Sequence, residues 1–205
     1  MKNKISTVYI QVDGVLADFI GHAMKACGDT ERYPYSMDGS LATMLQGDGD
    51  ALALAMGMPP EDLWMKVDHC SFWRTLPCYP VATEFVHQLN KLLPSTARIV
   101  LYMTIRFAPD LASARHDWSV KNFPGYAFCM SPSYGNIEQF IAGNERSVFV
   151  DHREDVLKKI EAAGGGKGVL VPRPWNKKSR QAAGAFHSVP YSLVLQDILD
   201  VVLTP

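Results

Sequence analysis

The stretch VYIQVDGVLADF, residues 8–19, decides how this chain is read. A short apolar run ends at Gln11, and an Asp-Gly pair follows at 13–14. Short apolar runs that do not alternate with polar residues suit strands buried on both faces, and Asp-Gly supplies a turn. The segment therefore delivers Gln11 and Asp13 to the carboxyl end of a buried strand. In open α/β sheets that is where ligands bind.

Four more runs of the same kind follow: RIVLYM (98–103), YAFCM (126–130), SVFV (147–150) and GVLVP (168–172), which with TVYIQ (7–11) make five expected strands. Between and around the later ones lie helix-like segments at 81–93, 109–123, 137–143 and 153–164, with a last helix around YSLVLQDILDVV. Strands alternating with helices predict a parallel, Rossmann-like α/β sheet covered by helices. Residues 17–79 break the alternation: they contain FIGHAMKAC, LATMLQ, DALALAMGM and EDLWMKV and no strand signal. We read them as a small helical cap inserted after the first strand, with residues 1–16 and 80–205 forming the core. The polar tract WNKKSRQAAGAFHS (175–188) reads as a surface loop.

Composition narrows the function. At 205 residues, 47% hydrophobic and 20% charged, the chain has the makeup of one globular domain with an insert. Twenty Lys and Arg against 21 Asp and Glu leave a net charge of −1, so no basic field is present to hold a nucleic-acid duplex. No apolar run reaches the roughly 20 residues of a spanning helix. MKNKIS also leads straight into the first strand, so a cytoplasmic protein with no membrane partner is expected. Cys27, Cys70, Cys78 and Cys129 lack metal or CxxC spacing and are read as reduced thiols. AAGGGKGVL (162–170) follows a helix and precedes a strand, the reverse of a phosphate loop, and is read as a helix C-terminal turn. GDGDA (47–51) lacks the remaining ligands of a calcium loop.

Polar residues just past the strands converge on one rim: Gln11 and Asp13 from the first, Thr104 from the second, and Asp151, His152, Glu154 and Asp155 from the fourth. Converging carboxylates suit a hard cation such as Mg²⁺, which in turn suits a phosphate.

With VYIQVDGVLADF, FWRTLPCYPVATEFVHQL (72–89), LYMT (101–104), VFVDHRED (148–155) and VPRPWN (171–176) in this order, the chain resembles the haloacid dehalogenase (HAD) superfamily, and within it the 5'(3')-deoxyribonucleotidase type. The resemblance covers nearly the whole length. It implies a Mg²⁺-dependent phosphomonoesterase in which a first-motif Asp is the nucleophile and an Asp two residues on is the acid and base. A hydroxyl and a Lys hold the phosphate, and a later Asp binds the metal. Carried over, Asp13 is the acid/base residue and a metal neighbour, Thr104 the phosphate-binding hydroxyl and Asp151 the metal carboxylate.

Three positions depart from that pattern. Gln11 stands at the nucleophile, SPSYGNIEQFIAGNERS (131–147) contains no Lys, and the paired acids after the fourth strand read Asp151-His152. An amide cannot form an acyl-phosphate and offers Mg²⁺ only a neutral oxygen. The expectation is a nucleotidase-like pseudoenzyme that senses or sequesters a nucleotide or a related phosphorylated nucleoside, with weak or absent Mg²⁺. Backbone N–H groups of the turn VDGVL, Thr104, Ile105, Arg106 and His152 would meet the phosphate, and Phe19, Phe72 and Trp73 would offer surfaces for a base. The competing readings are an active phosphomonoesterase with an atypical or engineered nucleophile position, and a protein-interaction module with no ligand. An oligomer is compatible with each.

Overall fold

The computed structural model describes residues 5–29, 49–104, 109–131, 146–164, 166–173, 176 and 191–203. Expected helices at LATMLQ and 137–143, most of the 175–188 tract, and Ile105 and Arg106 lie outside the described residues.

The elements run β1 (Thr7–Gln11), α1 (Phe19–Ala26), α2 (Gly49–Ala55), α3 (Pro60–Val67), α4 (Cys70–Arg74), α5 (Ala82–Leu92), β2 (Arg98–Thr104), α6 (Pro109–Asn122), β3 (Ala127–Ser131), β4 (Ser147–Asp151), α7 (Glu154–Ala162), β5 (Lys167–Leu170) and α8 (Tyr191–Leu203). The strands form one five-stranded sheet in the order β3-β2-β1-β4-β5, and every pairing is parallel. This is the Rossmann-like α/β architecture expected from the alternation of strands and helices. All five expected strands are present, with ends shifted by no more than two residues. Burial on both faces holds for the central β1, β2 and β4, whereas the edge strands β3 and β5 are only partly covered.

Helix packing follows the sequence period. In α5, Ala82, Phe85, Val86 and Leu89 are buried at helical spacing, and in α7 Val156, Leu157 and Ile160 are. The glycine-rich stretch ends α7 as a turn. Gly166 has φ +114° and a Cβ there would lie 2.1 Å from the Ser147 carbonyl oxygen, so only glycine lets β5 start against β4. The short helix α4 was not expected. It is capped by His69, whose Nδ1 accepts from the Phe72 N–H at 3.1 Å.

The chain leaves the sheet and returns to it at one place. Asp18 N–H donates to the Pro77 carbonyl and Tyr79 N–H to the Leu16 carbonyl, both at 2.8 Å, and Ala17 forms an antiparallel bridge with Cys78. The intervening helices therefore hang from a two-strand stem beside the end of β1. Helix α4 packs on α6, with Arg74 paired to Asp117 at 3.0 Å and Trp118 Nε1 donating to the Leu76 carbonyl just beyond it at 2.7 Å. Among the described residues no helix is long and apolar enough to cross a membrane.

Candidate functional site

Parallel register brings the polar strand ends to one edge. Thr104 pairs with Ser131 across β2 and β3, and Ile10 pairs with Val150 across β1 and β4, which sets Gln11 level with Asp151. Ser131, Thr104, Gln11 and Asp151 thus follow one another along the carboxyl edge, and Asp13 stands in the turn above Gln11. Ser131 was not singled out in the sequence, although it ends a strand as Thr104 does.

Gln11 is fully buried, and its Oε1 accepts from the Val12 N–H at 3.2 Å. Gly14 has φ +77°, and a Cβ on it would lie 2.3 Å from the His152 ring. The imidazole is packed onto the turn and bonds the Asp13 main chain. Burial first, then the charges of Arg173 and Arg153, push the His152 pKa down to about 3, so the ring is neutral at neutral pH. The turn commits much of its own backbone: the N–H groups of Leu16 and Ala17 both donate to the Val12 carbonyl, and Gly14 N–H donates to Ala17. Two of these, the N–H groups of Gly14 and Leu16, belong to the turn expected to cradle an anion and are engaged within the turn itself.

Asp13 is 8% exposed and is clamped by a residue that the sequence reading missed. Arg115, 1% exposed in α6, donates from both terminal nitrogens to both Asp13 oxygens at 2.7 and 2.5 Å. Its guanidinium also lies 4.5 Å from the centre of the Trp73 ring. A signal was available, because the buried face of α6 reads Leu111, Ala114, Arg115, Trp118 and Ser119, and the arginine stands at a core position of the helical repeat. The positive charge beside Asp13 thus comes from α6, at a sequence separation of 102.

Asp151 has no exposed surface. Its Oδ2 accepts from the Tyr102 hydroxyl and its Oδ1 from the Arg153 N–H at 2.8 Å. Burial pushes its pKa up to about 6, against the opposing pull of the Tyr102 hydrogen bond. Glu154 and Asp155 turn away from this edge: Glu154 pairs with Lys158 at 2.7 Å and Asp155 with Arg153 at 2.9 Å, in the first turn of α7. A second buried cation, Arg173 beyond β5, donates to the Tyr79 hydroxyl and lies 4.2 Å from that ring's centre. Tyr79 in turn donates to Asp18 at 3.3 Å, tying β5 to the stem.

The aromatic residues expected to offer open faces to a base are buried among themselves. Phe19 stacks on Trp73 with centroids 5.6 Å apart, and Phe72 meets both rings edge-on. Phe72 and Trp73 belong to α4, which docks on α6, and Phe19 meets them from the start of α1.

The donor set does not suit Mg²⁺. A hard cation takes several free oxygens. Here the Gln11 oxygen is neutral and bonded, both Asp13 oxygens are held by a guanidinium, and both Asp151 oxygens accept hydrogen bonds. Among the described residues, no cluster of three His, Cys, Asp or Glu side chains is placed to hold a metal.

Comparison with known proteins supports the fold. An HAD hydrolase from Bacillus subtilis, solved bound to magnesium, aligns over 97% of this chain and 99% of its own with a TM-score of 0.57 and 10% identity. A hydrolase from Streptococcus pneumoniae aligns over 97% and 100% with a TM-score of 0.52 and 12% identity. The L-2-haloacid dehalogenase of Xanthobacter autotrophicus aligns over 93% and 86% with a TM-score of 0.51 and 16% identity. No family model and no curated protein matches the sequence. The chain has an HAD-like fold, the fold of a class of hydrolases, and its polar strand-end residues stand at the carboxyl edge of that sheet.

Proposed function

We propose that this protein holds a nucleotide or related phosphorylated nucleoside at the carboxyl edge of its sheet, to sense or sequester it, and does not cleave it through an aspartyl-phosphate. The observation that carries the reading is Gln11. It occupies the strand end from which the resemblance would have a carboxylate attack, and its amide oxygen is already bonded to the Val12 N–H. Losing a nucleophile costs on the order of 10⁶ in rate in well-studied hydrolases. The second carboxylate is no ready substitute, since Asp13 is chelated by Arg115 and His152 beside it is neutral.

A nucleotide as the ligand is supported by the resemblance of the motifs to deoxyribonucleotidases, with the Thr104 hydroxyl placed at the same edge. Magnesium, bound in the Bacillus subtilis hydrolase, is not needed in this reading.

The test is to incubate an excess of protein with a panel of nucleotides, filter it, and chromatograph the flow-through. A compound that disappears and returns intact on denaturation supports the proposal. Conversion to nucleoside and phosphate overturns it. Gln11→Asp should restore no phosphate release, because Arg115 still occupies Asp13.

A further inference from the structure

The site keeps one of its strand-end acids in an unusual setting. Asp13 projects from the turn after β1, where a metal-dependent hydrolase of this fold would use it beside a cation, yet a cation from the protein itself is already there. Arg115 spans both carboxylate oxygens, its side chain is buried to 1% exposure, and Trp73 lies against its guanidinium. A guanidinium so buried cannot leave for solvent without opening the contact between α4 and α6. Replacement of a carboxylate by Gln11 completes the change: the neutral amide and the Asp13–Arg115 pair together carry no net charge. Two carboxylates at those positions would carry two negative charges and call for a divalent ion.

We infer that Arg115 takes over the electrostatic role of a divalent cation at this sheet edge, neutralising Asp13 from the buried side so that a phosphate-bearing anion is met without a metal. Arg115 is a positioning residue: it acts through Asp13 and does not reach the anion itself. The anion part of this inference rests on the proposed function; the exclusion of metal by the Asp13–Arg115 pair does not.

The experiment uses Mg²⁺ alone and inorganic phosphate as probes. Calorimetry on the intact protein should show no Mg²⁺ binding at millimolar metal and no Mg²⁺-induced rise in Tm. The phosphate Kd should change by less than about twofold between EDTA and millimolar Mg²⁺, against about tenfold or more if a metal bridged the anion. Gln11→Asp alone should remain blind to Mg²⁺. Combining it with Arg115→Met, which frees both Asp13 oxygens, should create a Mg²⁺-dependent rise in Tm, and Arg115→Lys in place of Met should suppress that rise. A merely structural arginine would lower Tm without conferring metal sensitivity.

Mg²⁺ binding by the unaltered protein, or a Mg²⁺ response in Gln11→Asp alone, overturns the inference even if the double variant does not fold. If phosphate fails to bind under any condition, the anion-binding reading falls, while the Mg²⁺ titration still decides the role of Arg115.

Discussion

Arg115→Met tests the central contact of the site. The substitution keeps most of the apolar stem against Trp73 and removes the guanidinium that holds both Asp13 oxygens at 2.7 and 2.5 Å. Asp13, at 8% exposure, is left as a nearly buried carboxylate without its counter-charge. Removing one partner of a buried ion pair costs about 3–5 kcal/mol, because the other charge stays desolvated. Loss of the cation–π contact adds about 0.5–2 kcal/mol. The expected destabilisation is therefore about 4 kcal/mol or more, a large part of the about 5–15 kcal/mol that holds a domain folded. With a urea slope of about 2 kcal/mol per molar, the unfolding midpoint should fall by about 2 M at unchanged slope.

Asp13→Asn should cost a similar amount by stranding the guanidinium. The double variant Asp13→Asn/Arg115→Met should cost clearly less than the sum, giving a coupling energy of about 3 kcal/mol in the cycle. Urea unfolding followed by far-UV circular dichroism reads all four proteins. Should Arg115→Met not fold, Arg115→Lys keeps the charge but loses the fork, and an intermediate loss of about 1–2 kcal/mol is expected. Single variants costing under about 1 kcal/mol and adding without coupling would refute the reasoning, since that is the behaviour of a solvent-exposed pair.

Three further outcomes are expected. His152, depressed from 6.5 to about 3, contributes stability that is present above pH 6.5 and lost as pH falls toward about 3; Asp151, raised from 3.8 to about 6, contributes stability present below pH 3.8 and lost as pH rises through about 6. Each is worth about 1.4 kcal/mol per pH unit across its window, so the two oppose each other between pH 6 and 4. In urea unfolding, Asp151→Asn should steepen the acid loss, while His152→Gln should make the protein gain stability on mild acidification. Gly166→Ala places a Cβ 2.1 Å from the Ser147 carbonyl oxygen at φ +114°, and should lower stability by about 2 kcal/mol or more in the same assay. Val81, exposed at the start of α5 with φ +57°, holds a left-handed backbone that costs a side-chain-bearing residue about 1–2 kcal/mol. Val81→Gly should raise Tm, the gain reduced by the greater freedom of glycine in the unfolded chain.

Whatever depends on local order along the chain is legible in the letters. Five apolar runs of strand length separated by helical repeats specify a parallel sheet, because consecutive parallel strands need a crossover and each strand must be covered on both faces. The same logic places Gln11, Asp13, Thr104 and Asp151 at one edge, since all of them terminate or directly follow a run. That position 11 is an amide and not an acid is likewise plain in the letters. What these groups touch depends on how the layers pack. Arg115 of α6 meets Asp13 across 102 residues, and Phe19 of α1 is buried against Phe72 and Trp73 of α4. Tyr102 reaches Asp151 because β2 and β4 flank β1, a neighbour relation fixed by strand order rather than by sequence distance. Helical periodicity marks Arg115 as facing the core, but its partner, Asp13, is chosen by how the layers stack.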